Sequence, residues 1–145
     1  MIGLLQRVTS ASVVIDGQKH ASILEGLLVL VAIENNDDEN NAERLLEKLI
    51  NYRVFPDENG RMNLSLADTQ GGLLLVPQFT LAADTKSGLR PSFTSAARPE
   101  ASKKLFDFLC DLGRKKYKHT DTGIFGADMK VSLVNDGPVT FWLQV

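Results

Sequence analysis

The chain ends, from Met129 to Val145, with the sequence Met-Lys-Val-Ser-Leu-Val-Asn-Asp-Gly-Pro-Val-Thr-Phe-Trp-Leu-Gln-Val. Two runs rich in β-branched residues, Val131–Val134 and Val139–Leu143, predict strands on either side of Asn135-Asp136-Gly137-Pro138. Asp-Gly alone predicts a tight hairpin turn, but Pro138 removes a backbone donor and fixes one φ angle beside a residue without Cβ. The segment is therefore either a plain turn between two strands or a loop that recognises a ligand with its backbone.

Upstream of this segment, apolar runs separated by turn residues predict a β-rich chain. Asp16-Gly17 predicts a hairpin between strands at Ala11–Ile15 and Lys19–Ile23. The continuously apolar runs Leu27–Ile33 and Leu73–Val76 are typical of strands covered on both faces. The other expected strands are Leu4–Thr9, the weak segment Met62–Leu66, and Thr122–Phe125.

Two helices are predicted among these strands. The first covers about Asn41–Tyr52, with apolar residues at helical spacing and Asp38 or Asn40 as candidate caps. The second begins at Pro99, because proline favours the first position of a helix. Residues 1–145 are thus expected to form a single α/β domain, with one or more sheet layers and the two main helices packed outside them.

The charges are unevenly distributed, although the net charge is only −2. Residues 1–84 carry 6 Lys/Arg against 12 Asp/Glu, whereas residues 85–118 carry 9 against 3. Such a basic segment indicates either a polyanionic partner or a solvated helix face. The only cysteine, Cys110, excludes an internal disulfide.

The chain has no sequence feature of a membrane or secreted protein. Its longest apolar run, Leu27–Ile33, is too short to span a bilayer. The first residues lack the charged start, apolar stretch and cleavage site of a signal peptide. We therefore expect a cytoplasmic location and no membrane partner.

Familiar catalytic sequences are also missing. The chain has no Gly-x-Ser-x-Gly elbow, phosphate-binding loop or dinucleotide fingerprint, and His20 and His119 lack metal-ligand spacing. The segment Pro77–Leu81 follows a buried strand, and alternation along a strand would place Gln78 and Thr80 on one face. Thr80 is either a hydroxyl donor, a structural residue or, with no base beside it, a nucleophile. No metal and no cofactor are expected.

Two motifs resemble the signature sequences of the D-aminoacyl-tRNA deacylases, first named D-tyrosyl-tRNA deacylases. They are Gln78-Phe79-Thr80-Leu81 and Asn135-Asp136-Gly137-Pro138-Val139-Thr140. One departure is Pro77, where the family usually has serine, so that a hydroxyl and a backbone N–H are both absent. Further segments that resemble the family, in order along nearly the whole chain, are Gln6–Val8, Gly26–Leu30, Met62–Leu64, Ala83–Thr85, Arg90–Phe93 and Phe125–Met129.

The resemblance implies a barrel-like fold and an enzyme that hydrolyses the ester joining a D-amino acid, or glycine, to the terminal adenosine of tRNA. It also implies a homodimer with two active sites at the subunit interface. In this family a cis peptide, here Gly137-Pro138, reaches into the other subunit's site and rejects L-amino acids. The implied catalytic residues are Gln78, Phe79 and Thr80, and the implied substrate-binding residues are Gly137, Pro138, Arg7, Phe125, Met129 and Pro77.

Such a reaction demands little of the protein, because an aminoacyl ester is already activated. Backbone N–H groups near Phe79 and Thr80 could stabilise the oxyanion, while the ribose 2′-hydroxyl assists a positioned water. An L side chain would clash with the Gly137-Pro138 backbone, and the basic segment would bind acceptor-stem phosphates. Two alternatives stay open: a tRNA- or nucleotide-binding module without catalysis, and a small-ester hydrolase with Thr80 as nucleophile.

Overall fold

The chain forms eight strands and a few helices, and the computed structural model describes all 145 residues. The strands are β1 (Ile2–Ile15), β2 (Gln18–Ile23), β3 (Gly26–Ala32), β4 (Phe55–Pro56), β5 (Met62–Leu64), β6 (Gly72–Pro77), β7 (Thr120–Thr122) and β8 (Met129–Gln144). The helices are α1 (Glu39–Asn51), α2 (Leu66–Thr69) and α3 (Pro99–Lys116), with a 3₁₀ turn at Phe79–Ala82.

Six of the strands form one mixed sheet, which confirms the predicted α/β class. Its order is β2-β1-β3-β6-β7, and β8 pairs with β1 alone. The pairs that involve β1 are antiparallel, whereas β3-β6 and β6-β7 are parallel. The sheet is almost closed into a barrel, because the Ser22 N–H of β2 donates to the Asp121 carboxylate of β7 at 3.3 Å. The short strands β4 and β5 form a separate ribbon.

The C-terminal segment is a single bulged strand, so the prediction of a plain turn between two paired strands is wrong. Both halves of β8 pair with β1, as Val134 lies opposite Ser10 and Phe141 lies opposite Leu5. The register jumps between the pairs Val8–Asn135 and Gln6–Thr140, which leaves the residues between 135 and 140 as a bulge. Strand β1 is likewise continuous, although the sequence predicted two separate strands in it.

The two long helices pack together on one side of the sheet. The Asp38 carboxylate caps α1, and the hydrogen bond that it accepts from the Asn41 N–H lowers its pKa. The apolar faces of α1 and α3 enter one core with residues of β1, β3 and β6; their buried members include Leu45, Leu46, Leu49, Phe106 and Leu109. Truncating such a leucine to alanine costs about 2–5 kcal/mol of stability.

Three local predictions are wrong in their details. The last parallel strand, β7, covers Thr120–Thr122 and not Thr122–Phe125, since the chain turns away at Gly126, whose φ of +79° favours glycine. Met62–Leu66 splits into β5 and the start of α2. The polar segment after β6 is a 3₁₀ turn and not an extended strand end.

No helix combines the length and apolar character that crossing a bilayer requires.

Candidate active site

A cleft of about 520 Å³ lies where β6 ends, beside the start of α3. Its walls come from three parts of the chain that are distant in sequence. They are Val76–Phe79 at the end of β6, Ala97, Pro99 and Ser102 at the start of α3, and Phe125–Met129 with Val131. The cleft is mostly apolar with a few polar groups, which is typical of small-molecule and cofactor sites.

Gln78 lines this cleft, and its side chain links the cleft to the exposed Thr80 beside it. The backbone N–H of Gln78 donates to the Val31 carbonyl at 2.7 Å, which fixes the chain as it leaves the sheet. The side-chain amide of Gln78 then donates to the Thr80 hydroxyl at 2.5 Å. The predicted pair does come together, but through the tight 3₁₀ turn and not through strand alternation.

The Thr80 hydroxyl has the surroundings of a donor and not of an activated nucleophile. Its hydrogen-bond partner within the chain is the Gln78 amide, which occupies an acceptor position of the oxygen and cannot remove its proton. Its own proton is therefore free for a ligand. Phe79 and Thr80 are also the first two residues of the 3₁₀ turn, where backbone N–H groups have no partner within the helix.

Two exposed aromatic rings stand at the rim of the cleft. Phe79 packs against Phe93, with the ring centroids 5.1 Å apart. Phe93 belongs to the loop between the 3₁₀ turn and α3, and no role for its side chain was predicted from the sequence. Nothing in the sequence indicates this contact, because only the path of that loop brings the two rings together.

The floor of the cleft is apolar at Pro77 and Met129. Both side chains approach the backbone of Gly123: a Cβ there would lie 2.7 Å from Met129 Sδ and 3.3 Å from Pro77 Cδ. The absence of a side chain at Gly123 is what allows them to come so close. Phe125 is half-buried and also lines the cleft. The structure thus brings together Pro77, Phe125 and Met129, three of the residues singled out from the sequence.

Arg7 and Asn135 hold the Gly137-Pro138 bulge in place. The Arg7 guanidinium, only 11 % exposed, donates from Nε to the Asp136 carbonyl at 3.1 Å and pairs with the Asp136 carboxylate at 3.0 Å. Its Nη1 donates to the Val54 carbonyl at 2.6 Å. The Asn135 side chain accepts from the Val139 N–H at 2.7 Å and donates to the Val139 carbonyl at 3.1 Å.

The bulge itself presents backbone and not side chains. Gly137 and Pro138 are exposed, and the peptide between them is cis. Gly137 has a φ of +144°, and a Cβ there would lie 2.7 Å from Val139 Cγ2 and 3.0 Å from the Val139 nitrogen. Only glycine fits this position without a shift of its neighbours. No separate role of Asn135 was predicted, although an asparagine two residues before Gly137 is typical of a side chain that bonds to its own loop.

The bulge and the cleft do not meet within one chain. The register runs from Pro77 to Val31, from Val31 to Gly3, and from Gly3 to Leu143, which is three strand spacings. Pro138 lies five residues further along β8. With strands about 4.8 Å apart and a rise of about 3.3 Å per residue, the two sites are roughly 20 Å apart along the sheet. Neither Gly137 nor Pro138 lines the cleft.

The titratable groups near the cleft do not form a metal site or an activated thiol. No three His, Cys, Asp or Glu side chains are close enough together to hold a metal ion. Cys110 lies further along α3, and burial raises the pKa of its thiol to about 12.

Comparison with known proteins places nearly the whole chain in one family. Residues 4–144 match the family described as D-Tyr-tRNA(Tyr) deacylase. The chain is 60% identical over 145 residues to the D-aminoacyl-tRNA deacylase of Janthinobacterium sp. (strain Marseille), covering 100% of this chain and 97% of the relative. It is also 60% identical over 144 residues to the D-aminoacyl-tRNA deacylase of Pseudomonas fluorescens (strain Pf0-1), covering 99% of each.

Two solved structures share the fold. One, named c-Myc DNA Unwinding Element Binding Protein, superposes with a TM-score of 0.95 at 36% identity, over 100% of this chain and 99% of that one. The other, described as a probable eukaryotic D-amino acid tRNA deacylase, superposes with a TM-score of 0.87, over 99% and 98% of the two chains. At 14% identity the second likeness concerns the fold alone.

Proposed function

This chain belongs to the D-Tyr-tRNA(Tyr) deacylase family, and we propose from this premise that it hydrolyses the ester between a D-amino acid and the 3′ end of tRNA. The observation that carries the proposal is the match of the whole chain, at 60% identity, to D-aminoacyl-tRNA deacylases. The chain is accordingly a hydrolase of carboxylic esters. Since its substrate is made during translation, we expect it to act in the cytoplasm.

The cleft at the end of β6 suits the terminal adenosine and the ester. Its apolar lining at Pro77, Phe125 and Met129 offers surfaces on which a nucleobase can stack. Beside Gln78, at the edge of the cleft, the free proton of the Thr80 hydroxyl can be donated to an oxygen of the ester or the ribose. Gln78 orients Thr80, so that the two act as one unit.

The chemistry then relies on positioning and on charge stabilisation. A water attacks the ester carbonyl, and the backbone N–H groups at the start of the 3₁₀ turn, Phe79 and Thr80, stabilise the oxyanion. The ribose 2′-hydroxyl next to the ester assists proton transfer, which makes a protein base unnecessary. This mechanism fits a threonine whose hydroxyl is bonded only to the Gln78 amide. For the same reason a Thr80-nucleophile esterase is the weaker candidate.

A second subunit would complete each site. The outer edge of β8, a strand of 16 residues, pairs with no other strand of the chain, and long unpaired edges are usually covered. We propose that a second copy covers it and that the Gly137-Pro138 bulge of one subunit enters the cleft of the other. The roughly 20 Å between bulge and cleft in one chain supports this arrangement.

The bulge would reject L-amino acids with its backbone. Carbonyls at Gly137 and Pro138 can accept hydrogen bonds from the substrate ammonium and fix the directions of its Cα substituents. An L side chain then points into the backbone, whereas the D side chain points away. Glycine has no side chain to reject, and glycyl-tRNA should also be hydrolysed. A tRNA-binding module without catalysis is the remaining alternative.

The test is hydrolysis of matched D- and L-tyrosyl-tRNA, with glycyl-tRNA as a third substrate, by the purified protein. The proposal predicts rapid release of D-tyrosine and glycine, while L-tyrosyl-tRNA decays at its spontaneous rate. Equal rates for the D and L forms would contradict the chiral screen. Binding of tRNA without any turnover would favour the non-catalytic alternative.

A further inference from the structure

The loop between the 3₁₀ turn and α3 has a closed base and a projecting tip. Asp84 and Ser92 bond to each other in both directions, N–H to carbonyl, at 2.8 and 3.0 Å. The Asp84 carboxylate also accepts from the Lys86 N–H at 3.0 Å. These bonds tie residues 85–91 into a ring that leaves the body of the protein. The tip of this ring is defined here as Lys86–Arg90.

The base of the same loop is fixed to Asn35, in the segment that follows β3. The Asn35 side chain donates to the Thr94 carbonyl at 2.7 Å, and the Asn35 N–H donates to the Ser95 carbonyl at 3.1 Å. Directly between this anchor and the ring lies Phe93, whose side chain packs on Phe79. Leu89 is four residues from Phe93, so the tip stands at most about 14 Å from the rim of the cleft.

The tip combines a fully exposed apolar side chain with unpaired positive charges. Leu89 is the most exposed large apolar residue of the chain, with no part of its side chain covered. Lys86 and Arg90 flank it, and neither belongs to any of the ion pairs in the molecule. From residue 85 to residue 99 there is no Asp or Glu, whereas Lys86, Arg90 and Arg98 are basic.

We propose that this tip binds the end of the tRNA acceptor stem, an inference that rests on the proposed function. Lys86 and Arg90 contact backbone phosphates, and Leu89 packs on the base face exposed where the stem ends and the unpaired 3′ end begins. An RNA whose terminal ester lies beside Phe79 continues past the rim as a polyanion, which the basic tip complements. Apolar side chains such as leucine pack against unstacked base faces in other nucleic-acid complexes.

Because the tip lies outside the cleft, its contribution should depend on the length of the substrate. Loss of the two cations should raise KM for D-tyrosyl-tRNA about tenfold while kcat stays unchanged. It should also make the dependence of log(kcat/KM) on log salt shallower by about one for each cation removed. A minimal ester, 3′-O-(D-tyrosyl)adenosine, fills the cleft but cannot reach the tip, so its hydrolysis should not change.

The experiment compares both esters for the wild type, the double variant Lys86→Gln/Arg90→Gln and Leu89→Ser. Lys19→Gln and Leu24→Ser remove an exposed cation and an exposed leucine elsewhere and serve as matched controls. The inference predicts losses only for the tip variants and only on tRNA. Equal losses on both esters, or no loss on tRNA, would overturn it.

The same design separates this inference from the proposed function. A wild-type protein that hydrolyses neither ester would refute the proposed function. The affinity for uncharged tRNA then decides the role of the tip. Weaker binding by both tip variants, with unchanged binding by both controls, supports the role, and unchanged binding by the tip variants refutes it.

Discussion

The cleft after β6 and the bulge in β8 are built in opposite ways. The cleft is made of side chains from three distant segments, around a space of about 520 Å³. The bulge encloses no space and presents exposed backbone at Gly137 and Pro138, held from behind by Arg7 and Asn135. Under the proposed function, the cleft binds the substrate and reacts with it, and the bulge limits the shape of what can bind.

We propose that the two regions are halves of different active sites, which a dimer brings together. The bulge is rigidly supported but has nothing to act on within its own chain, because the cleft is roughly 20 Å away along the sheet. The cleft contains the Gln78 amide but neither Gly137 nor Pro138, the residues to which the proposal assigns chiral selection. Joining the halves across a two-fold axis would give each cleft a chiral wall.

The largest effect is expected from a side chain placed on the bulge. Gly137→Ala introduces a Cβ at 2.7 Å from Val139 Cγ2 and at a φ of +144°, so the backbone must shift. A displacement of about 1 Å in a positioning group can cost about 100-fold in rate, and we expect a loss of that order for D-tyrosyl-tRNA. The D-to-L ratio of the rates, measured on the same preparation, should fall as well.

Gly17→Ala is the matched control, because Gly17 has a φ of +76° but open space around its Cβ position. It should lower thermal stability slightly and leave both rates unchanged. A Gly137→Ala protein with its full rate and D-to-L ratio would show that the bulge takes no part in recognition.

A smaller effect is expected when the support behind the bulge is weakened. Arg7→Lys keeps the charge but cannot reach the Asp136 and Val54 carbonyls at the same time. Losing one charge-assisted hydrogen bond is worth about 2 kcal/mol, which corresponds to about 30-fold in the D-tyrosyl-tRNA rate. If the bulge alone is affected, the inhibition constant Ki of adenosine as a competing ligand should stay at its wild-type value. A rate equal to that of the wild type would mean that Arg7 has only a structural role.

On the cleft side, Thr80→Ala should impair hydrolysis without abolishing it. The hydroxyl donates a hydrogen bond but has no base to activate it, so its loss should lower kcat by about tenfold. The D-to-L ratio should be unchanged, because the proposed mechanism assigns chiral selection to the bulge. Mass spectrometry of the enzyme during turnover should detect no acyl group on Thr80, and a trapped acyl-Thr80 adduct would refute this mechanism.

Neither region should respond to thiol reagents. Burial raises the pKa of Cys110 to about 12, so the thiol is protonated at pH 8. Because the thiolate is the reactive form, iodoacetamide at pH 8 should label the native protein slowly and leave its activity intact. Rapid labelling before unfolding would show that α3 opens locally.

The elements with strong local sequence patterns are predicted correctly. The predicted bounds of the strands are wrong where pairing with another strand determines them. The predicted start of α3 at Pro99 is correct, and α1 begins within two residues of its predicted position because Asp38 is a strong cap. The sequence predicts two strands in place of each of β1 and β8, since their continuity comes from pairing with each other over most of their length. Strand β7 was misplaced because Thr120-Asp121-Thr122 has no apolar pattern.

For the site, motifs indicated which residues matter but not how they are arranged. Gln78 and Thr80 were correctly expected to lie together, yet the 3₁₀ turn that joins them leaves no mark in an alternating pattern. The contact between Phe79 and Phe93, and the separation of bulge from cleft, depend on a loop path and on strand order. Neither can be read from spacing along the chain.

The most direct test of the proposed shared site is complementation between two defective subunits. Ala127→Trp would fill the cleft that Ala127 lines, and Gly137→Ala would disturb the bulge. If each site takes its cleft from one subunit and its bulge from the other, a mixed dimer contains one intact site. Random reassociation of equal amounts should then restore about one quarter of the wild-type D-tyrosyl-tRNA hydrolysis, because half of the dimers are mixed. Activity no higher than the average of the two variants would contradict the shared site.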